Sequence, residues 1–198
     1  HALGLRNILC LTGDPPSLGD YPNATAVFDT DAPGLMRIVH RMNQGTDLAG
    51  TSIGGATSFA IGCGVNPTAE DLDAEFEYVK RKLDAGPQFV MTQPVYELDC
   101  WKRFIERLGG LTKIPILIGI LPLQSFRHAE FLHNEVPGIH VPDWIRARMH
   151  EAGNEGQKVG VELARDLLVA CRGMANGVYL MPSFGRYENC LDVLEGTL

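Results

Sequence analysis

The chain has 198 residues, of which 45% are hydrophobic and 21% are charged, and its formal net charge is -7. This composition is typical of a folded globular chain with one sizeable core and excludes a disordered class. The acidic balance disfavours a nucleic-acid or anionic-membrane surface, and no apolar run reaches membrane-spanning length.

The first residues and the cysteines predict the compartment. The N-terminal residues lack the charged-then-apolar pattern of a signal peptide. The cysteines are odd in number and scattered, with no Cys-x-x-Cys pair: Cys10, Cys63, Cys100, Cys171 and Cys190. Such thiols are typical of a reducing compartment. We therefore expect a cytoplasmic chain with no disulfide framework and no metal site.

The first strand carries the first candidate for chemistry. Residues 1–6 have the pattern of a last helical turn, which Gly4 can end. The apolar run from Asn7 to Leu11 then stops at Thr-Gly-Asp-Pro-Pro, so a buried strand delivers Asp14 into a loop. Ligands bind at this end of the strands in parallel α/β sheets. The alternative is an aspartate that caps its own turn, which is more common on residue type alone.

A polar loop and a helix follow the first strand. The passage through Asn23 is too long and irregular for a tight turn and is typical of a binding loop. The pattern predicts a helix over about 33–43, with Thr30 or Asp31 as its cap. A second strand is predicted over 58–64, where Gly62 lets another group approach the backbone closely.

The helix predicted over about 69–85 carries two stripes. Its apolar residues recur at spacings of four, three and four and form one core stripe: Leu72, Phe76, Val79 and Leu83. The residues Glu75, Tyr78 and Lys82 form a second stripe at the rim of the core. This second stripe is either a solvated face, which is the usual fate of charged helix positions, or the lining of a groove.

The rest of the chain continues the alternation of strands and helices. Strands are predicted over 89–92, 115–121 and 177–181, and helices over 100–108, 125–133, 144–150, 156–171 and 187–194. This order predicts a parallel sheet, and no dinucleotide or P-loop glycine motif is present. Polar residues follow several strands, among them Asp14, Gln93, Gln124 and Arg186. That distribution favours an incomplete TIM (β/α)8 barrel of about five parallel strands.

Several stretches together resemble one enzyme family, methylenetetrahydrofolate reductase. They are Leu11–Pro15, Ile61–Pro67, Lys80–Gly86, Met91–Gln93 and Gly119–Pro122. The phrase Val178–Tyr187 is similar to the reductase half of bacterial bifunctional proteins that also carry a homocysteine methyltransferase. The resemblance covers nearly all of residues 1–198 and corresponds to the family's barrel from its fourth strand onward. We therefore expect one domain, the C-terminal portion of such a barrel.

The resemblance implies an FAD-containing enzyme. In this family NAD(P)H reduces the flavin, which passes hydride to 5,10-methylenetetrahydrofolate and gives 5-methyltetrahydrofolate. Asp14 then matches an electrostatic catalytic aspartate, and Gln93 matches a glutamine that hydrogen-bonds the pterin. Arg186 and His128 match substrate-contacting positions, although a lone histidine on an amphipathic helix is more often structural. The positions that match the FAD site are Thr12, Gly13, Asp14, Phe28, Asp29, Gly62, Asn66, Ala69, Glu75, Tyr78, Arg81 and Lys82.

Two departures from the family pattern qualify these expectations. Thr12 stands where many members have an arginine beside the flavin, so one positive contact is lost. The family's general-acid glutamate belongs to the first barrel strand, which has no counterpart in these residues, so we expect the isolated chain to be inactive. The alternatives are a non-catalytic flavin- or folate-binding module and an assembly piece. A five-strand sheet also has two open edges, which a second copy or the missing N-terminal barrel strands would cover.

Overall fold

A computed structural model describes residues 1–110 and 113–197. Within these residues, five strands alternate with seven α-helices, which confirms the predicted α/β class. The strands are β1 (Asn7–Cys10), β2 (Ala60–Val65), β3 (Phe89–Pro94), β4 (Ile116–Ile120) and β5 (Gly177–Leu180). The helices are α1 (Ala32–Asn43), α2 (Leu72–Asp84), α3 (Leu98–Arg107), α4 (Phe126–Glu135), α5 (Asp143–Ala152), α6 (Gly156–Ala170) and α7 (Tyr187–Leu194).

The sheet follows the order of the chain, β1-β2-β3-β4-β5. The strands β1 and β2 pair in parallel, with Ile8 opposite Ile61, and β4 and β5 pair in parallel, with Ile118 opposite Val178. The chain divides into two compact units. The first comprises residues 1–64 and 77–90, and the second comprises residues 65–76 and residue 91 onward.

The first unit is built on β1, α1 and β2. Cys10, Met36 and Ile61 are fully buried in it. The helix α1 begins where predicted, because the Asp31 carboxylate accepts a hydrogen bond from the backbone N–H of Gly34 at 2.9 Å. This cap fixes the end of the loop that follows β1.

The core of the second unit consists of an aromatic part and an aliphatic part. On α3, Trp101 and Phe104 are buried, and the ring of Phe104 lies 5.0 Å from that of Phe76. The aliphatic part consists of Leu123, Ala129, Leu132, Val141, Ile145 and Met149. A β-carbon added at Gly160 of α6 would overlap the carbonyl oxygen of Leu123. Glycine at this position is therefore what lets α6 lie against the loop that follows β4.

The structure differs from the sequence prediction chiefly at three points, the first of which is β1: the strand predicted to be buried has Asn7 and Leu9 exposed, and only Cys10 is fully buried. Residues 1–6 form a turn and no helix, closed by a hydrogen bond from Gly4 to the carbonyl of His1 at 3.0 Å. The helix α2 begins at Leu72, because Asp71 accepts from the N–H of Ala74 and caps it there. The group that approaches Gly62 is the ring of Phe89, which fills the space that a side chain at Gly62 would need.

Candidate functional site

The loop after β1 is open to solvent and carries several predicted site residues. Gly13, Asp14 and Asp29 are exposed, and Phe28 is 53% exposed. The Asp14 carboxylate makes no hydrogen bond within the described part of the chain. It therefore does not cap its own turn, and the alternative reading of Asp14 as a turn residue is not supported.

Thr12 connects the end of β1 to two helices of the first unit. Its hydroxyl oxygen accepts a hydrogen bond from the backbone N–H of Ala32 at 2.9 Å, at the start of α1. The same hydroxyl lies 2.7 Å from the phenol oxygen of Tyr78 on α2. Thr12 thus has a structural role in this chain, whatever it offers a ligand.

Two cations of α2 lie beside Tyr78. The guanidinium of Arg81 pairs with Asp31, and the Arg81 side chain stays 58% exposed. The ammonium of Lys82 donates to the carbonyl of Gly64 at 2.8 Å and sits 4.0 Å from the centre of the Tyr78 ring. The N–H of Gly34 and the Arg81 guanidinium both lower the pKa of Asp31. We refer to Thr12, Asp31, Tyr78, Arg81 and Lys82 as the Thr12 cluster.

The predicted rim stripe is not a solvated face. Lys82 is 6% exposed, and Tyr78 is half-buried. In the second unit, a Glu75 carboxylate oxygen accepts from the backbone N–H of Asn66 at 2.9 Å, and Ala69 is half-buried. The Asn66 amide in turn donates to the carbonyl of Gly138 at 3.0 Å. Each member of the stripe is therefore held by contacts within its own unit.

Gln93 is exposed near the end of β3, and the backbone beside it is held from two strands. The hydroxyl of Tyr179 donates to the carbonyl of Thr92 at 2.5 Å. The Thr92 hydroxyl donates to the carbonyl of Gln93 at 2.7 Å and accepts from the N–H of Gly119 at 2.9 Å. A β-carbon at Gly119 would lie 2.7 Å from the Tyr179 hydroxyl, so the glycine makes room for this bridge. Tyr179 therefore fixes the backbone from which the Gln93 amide extends.

Arg186 follows β5 and lies beside a group of three side-chain amides. One of its terminal nitrogens, Nη1, donates to the Gln157 amide oxygen at 3.0 Å and to the Gln124 amide oxygen at 3.3 Å. Asn189 joins the two glutamines, because it donates to Gln124 at 2.9 Å and accepts from Gln157 at 2.7 Å. We refer to Gln124, Gln157, Arg186 and Asn189 as the Arg186 cluster.

His128 has a packing role beside this cluster. It is buried, and its Nδ1 accepts a hydrogen bond from the N–H of Gln124 at 3.2 Å. Burial lowers the pKa of His128, which favours the neutral ring. The ring lies 5.0 Å from that of Phe184, which is 75% exposed and is held at a positive φ of 55°. His128 thus supports the loop that carries Phe184 and Arg186, as a structural histidine does.

Four residues of these arrangements were not predicted from the sequence: Asp31 as a partner of Arg81, and Gln157, Tyr179 and Asn189. One signal for Asn189 was available, because Asn189 and Val193 are the buried positions of α7, and a polar residue on a core-facing position needs partners. Among the described residues, no cluster of three or more His, Cys, Asp or Glu side chains could hold a metal ion. No helix in the described ranges is long and apolar enough to cross a membrane.

Comparison with known proteins identifies the family of this chain. The model of the family described as methylenetetrahydrofolate reductase matches residues 1–182. The chain belongs to the methylenetetrahydrofolate reductase family. A relative from Caenorhabditis elegans, described as a probable methylenetetrahydrofolate reductase (NADPH), is 30% identical over 181 residues, which cover 84% of this chain and 25% of that protein. The 5,10-methylenetetrahydrofolate reductase of Salmonella typhimurium is 26% identical over 169 residues, which cover 83% of this chain and 51% of that protein.

A solved structure from Clostridium thermocellum shares the fold. It has a TM-score of 0.52 and 19% sequence identity, and the match covers 70% of this chain and 52% of that one. Its description reports an uncharacterized protein that binds two copies of 5-methyl-5,6,7,8-tetrahydrofolic acid. Since this chain spans a quarter to a half of the reductases named above, membership of the methylenetetrahydrofolate reductase family applies to the matched segment.

Proposed function

We propose that this chain takes part in the FAD-mediated reduction of 5,10-methylenetetrahydrofolate to 5-methyltetrahydrofolate, with NAD(P)H as the reductant and the cytoplasm as the compartment. The observation that carries the proposal is the family match over residues 1–182, which include both Asp14 and Gln93. The names of relatives include both NADPH and NADH forms, which supports a nicotinamide reductant without favouring either one.

Each of the two units carries polar residues whose chemistry suits a folate. A solvent-exposed carboxylate at Asp14, bonded to no other described side chain, would stabilise the positive 5-iminium form of the substrate. The Gln93 amide both donates and accepts, so it suits the pterin edge, and Tyr179 and Thr92 hold its backbone. Arg186 would attract an anionic or carbonyl group of the folate. The Clostridium thermocellum protein is also described as binding a folate.

The Thr12 cluster has the donor set that a flavin dinucleotide needs. The exposed guanidinium of Arg81 suits the diphosphate, and the hydroxyls of Thr12 and Tyr78 suit ribityl or ribose oxygens. When bound, FAD would supply the hydride transfer between nicotinamide and folate. Gly13, Phe28 and Asp29 would reach the cofactor from the exposed loop. The contacts of Gly62, Asn66, Ala69, Glu75 and Lys82 with it remain predictions.

Retention of flavin tests the cofactor part of this proposal. The chain is mixed with FAD and passed through gel filtration, and the flavin absorbance of the protein peak is measured. Retained flavin is the expected result, and Arg81→Ala should reduce it while Arg37→Ala, an exposed arginine of α1, should not. A colourless protein would contradict the flavin assignment. Retained flavin without NADH–menadione turnover would favour the alternative of a non-catalytic binding module.

The outer edge of β1 supports a partner. Leu9 and Leu11, at alternate positions, are 36% and 58% exposed, and Leu5 is 64% exposed. We propose that β1, the terminal strand of the sheet order, pairs with further polypeptide that also covers these leucines, either a second copy or other barrel strands. Native mass spectrometry tests the second copy, which would double the 21.6 kDa mass. A monomer of that mass would exclude the second copy and leave other barrel strands as the proposed partner.

A further inference from the structure

The Arg186 cluster differs from an ordinary ion pair in what holds the guanidinium. Both hydrogen bonds of Arg186 go to amide oxygens, those of Gln124 and Gln157. Arg186 forms no ion pair with any residue that the structure describes. A carboxylate would orient the guanidinium and also cancel its charge, whereas a neutral amide orients it and leaves the charge in place.

The geometry also leaves one side of the guanidinium available. Only Nη1 is engaged, so Nε and Nη2 make no hydrogen bond within the described residues. These two nitrogens form the edge that binds a carboxylate or another planar oxyanion through two parallel hydrogen bonds. Arg186 itself is exposed, so a ligand has access to that edge.

Asn189 determines which way the two glutamine amides face. It is 2% exposed, and it donates to the Gln124 oxygen and accepts from the Gln157 nitrogen. A glutamine that gives its N–H to Asn189 must turn its oxygen elsewhere, and for Gln157 that oxygen accepts from Arg186. Gln124 is constrained as well, because its amide nitrogen donates to the carbonyl of Pro122 at 3.2 Å. Donation therefore runs in one direction, from the exposed Arg186 through Gln157 to the buried Asn189 and from there to Gln124.

We propose that Asn189 and Gln157 are positioning residues that hold the uncompensated Arg186 guanidinium open toward an anionic group of a reduced folate. The inference rests on the proposed function for the identity of the ligand. The orientation of Arg186 by the two amides does not depend on it.

The first experiment measures the dissociation constant for 5-methyltetrahydrofolate by calorimetric titration of the full chain. Arg186→Ala should weaken binding about 10- to 100-fold, which corresponds to the loss of a charge-assisted contact. Gln157→Ala should weaken binding about 3- to 10-fold. Gln157→Glu has the same shape but supplies a carboxylate to the guanidinium, so it should weaken binding at least as much as Gln157→Ala. The control is Gln44→Ala, an exposed glutamine at the end of α1, which should leave the constant unchanged.

A double-mutant comparison shows whether Asn189 acts through Arg186. Asn189→Ala should weaken binding several-fold in the parent chain and have no further effect when Arg186→Ala is already present. Because Asn189 is buried, its removal could impair folding, and the exposed Gln157 variants keep the proposal testable in that case. Unchanged affinity in both Gln157 variants, with weakened binding in Arg186→Ala, would overturn it.

A second measurement needs no ligand and separates the positioning role of Gln157 from the folate-binding role of Arg186. The order parameter of the Arg186 Nε–H bond is measured by ¹⁵N relaxation in the chain alone. Gln157→Ala should make this bond clearly more mobile, and an unchanged order parameter would overturn the positioning role. If mobility increases but Arg186→Ala binds folate as the parent does, the positioning role stands and the folate assignment of Arg186 fails.

Discussion

Two arginines of this chain are anchored in opposite ways. In the first unit, Arg81 pairs with the carboxylate of Asp31, so its charge is compensated within the protein. In the second unit, Arg186 is held by the amides of Gln157 and Gln124, and its charge is left uncompensated. The difference teaches that the partner of an exposed arginine decides what it offers a ligand: Arg81 offers its remaining N–H groups, whereas Arg186 offers N–H groups together with an uncompensated charge.

The largest expected effect concerns the close approach that supports the Arg186 cluster. Gly160→Ala should lower the free energy of unfolding by about 3 kcal/mol, because the new β-carbon would overlap the carbonyl of Leu123 and push α6 outward. Since Gln157 lies on the same helix, folate binding should weaken as well. Urea denaturation measures the stability change.

The control for Gly160→Ala is a second glycine-to-alanine substitution, in a helix of the first unit. Gly34→Ala in α1 would meet chiefly the Thr30 side chain, which can rotate away, and alanine is the better helix former. Its effect should stay within about 1 kcal/mol. Equal destabilisation by the two substitutions would show that the approach of α6 to Leu123 is not the cause.

Tyr179→Phe should lower the free energy of unfolding by about 1 kcal/mol, because the carbonyl of the buried residue Thr92 loses its hydrogen bond from the tyrosine hydroxyl. Burial raises the pKa of Tyr179, so the donor is neutral at ordinary pH. Folate affinity should also fall, since the backbone beside Gln93 is then less well held. The control is Tyr187→Phe, whose hydroxyl is on a 67% exposed residue. Identical behaviour of the two variants would remove Tyr179 from the site.

Two variants of Asp31 test how much its ion pair with Arg81 contributes to stability. Asp31→Ala should lower the free energy of unfolding by about 1 kcal/mol through loss of the α1 cap. Asp31→Asn should cost only a few tenths of a kcal/mol, roughly, because asparagine caps equally well and an exposed ion pair contributes little. Urea denaturation of both variants is the measurement. A large loss in Asp31→Asn would mean that the Arg81 pair, and not the cap, is the stabilising contact.

The smallest effect concerns acid stability. The pKa of His128 is lowered by burial from its ordinary value of 6.5, so the unfolded chain binds the proton more readily than the folded one. The free energy of unfolding should therefore fall as the pH drops below about 6.5. The part of this fall caused by His128 should disappear in His128→Gln, whereas the exposed His140→Gln should keep it. Parallel pH profiles of the parent and His128→Gln would contradict the assignment.

The sequence predicts most of the fold, because each element has a local signal. The bounds of α7 are as predicted, and β4 is short and apolar enough to be recognised as a buried strand. The start of α2 was placed too early, since the side-chain turn at Asn66 and the cap at Asp71 are not visible in apolar periodicity. The turn at residues 1–6 was mistaken for a helix because Gly4 at positive φ ends both structures.

The candidate site is less predictable, because its contacts join residues far apart in the chain. Gln157 and Asn189 are 32 residues apart and follow no shared motif, so only the fold brings their amides together. Gly62 shows a second reason. Its local pattern predicts that another group approaches the backbone, and only the structure identifies that group as the ring of Phe89. A local pattern indicates that space is needed but does not identify what fills it.

The most direct test of the central claim is a calorimetric titration of this chain with 5-methyltetrahydrofolate, in parallel for the parent, Gln93→Ala and the control Gln44→Ala. We expect saturable one-site binding to the parent, weakening by about 10-fold in Gln93→Ala, the loss expected for a hydrogen bond to a ligand, and parent-like binding in Gln44→Ala. No binding to the parent, or equal binding to the parent and Gln93→Ala, would contradict the claim that Gln93 belongs to a reduced-folate site.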